Sequence, residues 1–140
     1  MALASRVFEA LHSGLVVALL APLVAAAMFL LVVATSGERI DPGIGSFVLL
    51  FVGIASGAYF LGAVPAFIAG LMLPALRSRL SAVASALGTG VVGALVYLAT
   101  IGAHLLSQPQ PVRSVLTACV PAFIGTAIAS LAVPHRASEA

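Results

Sequence analysis

Residues 46–76, SFVLLFVGIASGAYFLGAVPAFIAGLMLPAL, run for 31 positions without one charged side chain. At about 1.5 Å rise per residue, a helix of that length reaches about 46 Å, against roughly 30 Å for the hydrocarbon core of a bilayer. Splitting the stretch in two would leave each half too short to cross. It therefore reads as one long membrane helix that tilts, bends or projects into the interface. Gly62 and Pro65 mark the expected bend, because proline removes a backbone donor and crowds the preceding turn.

Three further runs meet the same length requirement on either side of it, at residues 15–35, 82–106 and 115–133. The breaks between the runs carry turn chemistry. Residues 35–43 are polar and end in Asp41-Pro42-Gly43, and Ser46 is a candidate cap for the second helix. Residues 77–81 hold Arg77, Arg79 and the candidate cap Ser81. Residues 107–111 hold Pro109 and Pro111, the latter suited to the first turn of a helix. The expected fold is an all-α membrane protein, a single transmembrane domain built as a four-transmembrane-helix bundle.

Composition points the same way. The 140 residues are 62% hydrophobic and 7% charged, where a soluble domain carries about a quarter charged residues. The six basic residues are all arginine and form no face interleaved with aromatics, so nucleic acid is not an expected partner. One cysteine, Cys119, excludes an intrachain disulfide and a cysteine zinc motif; its burial in an apolar span would suppress thiolate formation. The first apolar run is longer than the roughly 7–15 residues of a signal-peptide core, so it is expected to stay as an uncleaved span. Ahead of it, Leu3, Val7, Phe8 and Leu11 share one helical face away from Arg6, Glu9 and Ser13. That pattern suits either an interfacial helix or a simple extension of the first span.

Arginine counting orients the chain. Arg6, Arg77, Arg79 and Arg136 fall on the side shared by both termini, and Arg39 and Arg113 on the other. The expectation is a cell-membrane (inner-membrane) protein with both termini cytoplasmic. The first group, with His12 and His135, forms a basic collar for anionic lipid.

The pentapeptide Val64-Pro65-Ala66-Phe67-Ile68 recurs 56 positions on as Val120-Pro121-Ala122-Phe123-Ile124. Helices two and four run in the same direction, so Pro65 and Pro121 sit at similar depth. The alternatives are two duplicated helical hairpins and a chance match in an alanine- and valine-rich chain.

Small residues at four-residue spacing predict close helix–helix seams. They are Gly53 and Gly57 on helix two, Ala82, Ala86, Gly90 and Ala94 on helix three, and Ala118, Ala122, Thr126 and Ser130 on helix four. A more polar line on helix three comprises Ser85, Thr89, Gly93, Tyr97, Thr100 and His104, all on one face. It reads either as a wet path or as hydroxyls satisfied on their own helix. Tyr59, in mid-span, calls for a hydrogen-bond partner across a seam.

No Asp, Glu, Lys or Arg lies within any of the four runs, which counts against a proton-driven pump. Glu38, Asp41, His104 and Arg113 share one rim, but their spacing matches no metal or acid–base motif. No catalytic, cofactor or metal site is expected. The leading expectation is a non-enzymatic packing or accessory subunit, as a homo-oligomer or with other membrane subunits. The alternative is a small channel or facilitator for a neutral or weakly charged solute, using the helix-three line and the two prolines.

Overall fold

A bilayer supplies no water to unpaired backbone groups, so each apolar run must close its own hydrogen bonds, and a helix does that within one segment. The computed structural model describes residues 2–35, 43–107 and 109–134. Among them are four helices, α1 (Ala2–Thr35), α2 (Ile44–Arg77), α3 (Ala82–Leu106) and α4 (Pro111–Ala132), and no strand. All four are long and apolar enough to cross a membrane. The first dozen residues extend α1 rather than forming a helix of their own. Pro111 starts α4 four residues earlier than the apolar run alone suggests, since proline suits the first helical position. Pro22, Pro65 and Pro121 lie inside helices that continue through them, so neither α2 nor α4 is broken at its repeated proline.

The helices form a ring in chain order. α1 packs most extensively on α2, and α3 on α4; α1 with α4 and α2 with α3 close the ring. α2 and α4 touch lightly across it, while α1 and α3 make no such contact. Exchanging the two hairpins leaves this pattern unchanged, as a two-fold axis along the bundle would.

The packing repeats in detail. Phe67 lies against Gly14, where an added Cβ would meet its ring at 2.9 Å, and Phe123 lies against Gly90, again at 2.9 Å. The phenylalanines are 56 positions apart and the glycines 76. The same 76-residue step carries Ala10, Leu11, Val16, Ala18 and Leu19 onto Ala86, Leu87, Val92, Ala94 and Leu95. It also carries Val17 onto Gly93, while the 56-residue step carries Gly70 onto Thr126. In the first hairpin Val17 meets Gly70, and in the second Gly93 meets Thr126. The glycine has changed sides while the combined size at the contact is nearly kept, as close packing requires.

The end of the bundle that carries both termini is tightly packed. An added Cβ at Gly70 would lie 2.8 Å from the Gly14 Cα and 2.9 Å from the Ser13 carbonyl oxygen, so these backbones are in direct contact. Gly125 brings α4 equally close to the Ala21 carbonyl of α1. Val17, Ala21, Ala66, Leu73, Ala129 and Val133 fill the axis there. Arg77, ending α2, donates to the Ser130 carbonyl at 2.7 Å and the Pro134 carbonyl at 3.4 Å. It thus ties the ends of α2 and α4 together and places a cation on the negative pole of α4.

Candidate functional site: a cleft between two hairpins

Toward the opposite end the helices enclose a cleft of about 810 Å³. Drug-sized ligands occupy sites of about 300–1,000 Å³ that are mostly apolar with a few polar groups. α2 and α4 form its two main walls, with Ala21 to Phe29 of α1 and Gly93 and Tyr97 of α3 beside them. The packed core of the termini end closes its base.

The walls are equivalent surfaces. On α2, Ile54, Gly57, Ala58, Leu61, Gly62, Pro65 and Ala66 line the cleft. Moving each by 56 positions gives Gln110, Arg113, Ser114, Thr117, Ala118, Pro121 and Ala122, and all seven also line it. The cleft therefore lies between faces of α2 and α4 that correspond at a 56-residue step. At its base the walls match: Gly62 with Ala118, Pro65 with Pro121, Ala66 with Ala122. Toward the mouth they diverge, and in one direction. Ile54 faces Gln110 in this scheme, Gly57 corresponds to Arg113, Ala58 to Ser114 and Leu61 to Thr117. The same face is apolar on α2 and polar or cationic on α4.

The prolines add backbone acceptors. Pro65 and Pro121 have no N–H to offer the carbonyls of Leu61 and Thr117, four residues earlier, and both of those residues line the cleft. Thr117 donates its hydroxyl to the Arg113 carbonyl at 2.8 Å, and Thr126 donates to the Ala122 carbonyl at 2.8 Å. No hydrogen bond or ion pair engages the side chains of Gln110, Arg113, Ser114 or Tyr97 among the described residues. Glu9 is the one carboxylate among those residues and sits at the opposite end of the bundle. The first turn of α4 holds no acidic residue, and Gln110 makes no side-chain cap. Among the described residues, Arg113 and the free N–H groups of the helix start give the mouth a positive potential with no carboxylate beside them.

The helix-three line divides between the two ends. Ser85 and Thr89 are fully buried at the termini end and donate to the carbonyls of Ala82 and Ser85 within their own helix. They form no wet path. Gly93 packs on Thr126, Tyr97 lines the cleft, and Thr100 is exposed and donates to the Tyr97 carbonyl. His104 is exposed near the end of α3. Of its rim companions, Arg113 stands at the cleft, while Glu38 and Asp41 lie outside the described residues, as do Arg39, His135 and Arg136. No group of three metal-ligating side chains gathers among the described residues.

The small-residue lines divide as well. Ala86 and Gly90 are buried, Ala94 is half-buried and Ala82 is exposed. Gly53 and Gly57 form no seam within the chain. A Cβ at either would meet nothing within 4 Å, because both are exposed and Gly57 opens on the cleft. The intrachain seams run instead through Gly14, Gly70, Gly90, Gly93 and Gly125. Tyr59 finds its partner across a seam, donating to the Leu19 carbonyl of α1.

Sequence reasoning missed the cleft and its polar wall. The signal was present: applying the 56-residue step beyond the pentapeptide sets Gly57 beside Arg113 and Leu61 beside Thr117. Comparison with protein-family models, curated proteins and solved structures returns no match.

Proposed function

We propose that the chain is a non-enzymatic facilitator of the cell membrane that admits a small, largely apolar solute to the cleft between its hairpins. The observation carrying this reading is the position of the cleft between two corresponding helix faces, next to the packed core of the other end. Membrane carriers built from repeated units hold their substrates at the interface between repeats, where broken or proline-containing helices expose backbone groups. Pro65 and Pro121 occupy equivalent places in this one. Among the described residues no carboxylate, lysine or histidine lines the cleft, which favours passive rather than proton-coupled movement. Arg6, Arg77 and Arg79 at the packed end favour cytoplasmic termini, with the mouth facing outward.

Cysteine accessibility tests the reading. In a Cys119→Ala background, Tyr97→Cys is expected to react with a water-soluble thiol reagent added outside intact cells, and Thr89→Cys to stay unlabelled. Silence at Tyr97 would remove the solute reading. A second reading, an accessory subunit or homo-oligomer, is favoured by the open face around Gly53 on α2, which suits close approach by another helix. Native mass spectrometry from native lipid discs separates the two, since a fixed stoichiometric partner supports assembly and a bare monomer opposes it.

A further inference from the structure

Resting on the solute reading above, we infer that the solute is an organic anion with an apolar body, its charged group at Arg113 and its body against the α2 wall. Three observations combine. First, among the described residues Arg113 is the one charged side chain lining the cleft, and it has no ion-pair partner there. An arginine fork binds carboxylate, sulfonate or phosphate oxygens through paired N–H donors. Second, the divergence of the walls is one-sided. At four successive equivalent positions α4 carries Gln110, Arg113, Ser114 and Thr117 where α2 carries Ile54, Gly57, Ala58 and Leu61. A solute polar all round would leave donors unpaired on the α2 side, and a wholly apolar one would strand Arg113 against it. Third, Tyr97 lines the cleft with its hydroxyl unpaired among the described residues, a further donor for an anionic group entering from the mouth. The anion can come from water, as a free carboxylate, or from the membrane, as a lipid headgroup.

The equivalence of the walls supplies the test. Purified full-length protein in phosphatidylcholine discs is titrated with two fluorescent probes of one shape, anilinonaphthalene sulfonate and neutral N-phenylnaphthylamine, against empty discs. Arg113→Gln is expected to weaken the sulfonate about five- to tenfold and the neutral probe by less than about twofold, the range of one charge-assisted hydrogen bond at a partly wet site. The double variant Gly57→Arg with Arg113→Gly moves the charge to the equivalent place on the other wall, where an added Cβ meets nothing within 4 Å. It is expected to recover most of the lost sulfonate affinity, which a merely structural role for Arg113 would not produce. Gly62→Phe fills the cleft and is expected to abolish binding of both probes.

Equal effects of Arg113→Gln on both probes, or no recovery in the transposed variant, would overturn the anion inference and leave the solute reading standing. Binding of either probe unaffected by Gly62→Phe would sink both. Displacement of the sulfonate by added octanoate assigns a water-borne anion, and displacement by phosphatidylglycerol built into the disc assigns a lipid headgroup; displacement by neither overturns the inference.

Discussion

The two ends of this bundle are made of the same material and behave differently. Both consist of alanine, glycine, valine and leucine on helices of similar apolar character. At the termini end, Gly14 and Gly70 place α1 and α2 in backbone contact, and Gly125 does the same for α4 and α1. At the other end, Gly53, Gly57 and Gly62 face open space, and the helices part around a cleft. In lipid the apolar side chains gain little from facing one another, so association depends on how closely backbones approach. A glycine strengthens the bundle only where another helix lies over it. Where none does, it widens a cavity and leaves room for something else.

The sharpest way to break this comparison is to load both ends with the same substitution. Gly70→Leu drives a side chain into the Gly14 backbone, and its loss is expected to reach at least about 3 kcal/mol, or to abolish folding. At Gly57 an added Cβ meets nothing within 4 Å, so Gly57→Leu is expected to be neutral, or stabilising by up to about 1 kcal/mol because glycine is a poor helix former. Thermal unfolding in a fixed detergent compares them directly. Equal destabilisation would mean the cleft is not open at Gly57.

A smaller effect is expected at Arg77. Arg77→Met removes the bonds to the Ser130 and Pro134 carbonyls and unties α2 from α4, costing about 1–2 kcal/mol. Tyr59→Phe removes one bond from α2 to the Leu19 carbonyl and is expected to cost about 0.6 kcal/mol, an ordinary value for a hydrogen bond between membrane helices. The smallest change belongs to Thr89→Val, within about 0.5 kcal/mol. The Thr89 hydroxyl bonds the Ser85 carbonyl of its own helix and holds nothing across a seam. A large loss there would reveal an interhelical role for the buried hydroxyl and weaken the contrast with Tyr97 at the cleft.

The two walls of the cleft make a second comparison. α2 and α4 share a proline pentapeptide and present corresponding faces to one cavity. The repeat was only partly legible because its halves have different offsets. α2 and α4 share the pentapeptide at a step of 56, whereas α1 and α3 share scattered positions at a step of 76, so no single step contains both. The second step is visible in the packing, where Phe67 lies on Gly14 and Phe123 on Gly90.

Hydrophobic length alone determined the four helices among the described residues and about where each stops, while α1 starts thirteen residues before its apolar run and α4 four before its own. That follows because a backbone in lipid must satisfy itself within its own segment, a local requirement written in local sequence. The rotation of each helix about its axis was not determined locally. Four-residue spacing showed that Gly53 and Gly57 share a face, as Ala86 and Gly90 do, but not which face would be covered. Tertiary packing buried Gly90 under Phe123, left Gly57 open, and set Arg113 opposite an apolar wall. The physical reason is that small-residue spacing describes one surface, whereas a seam is a property of two.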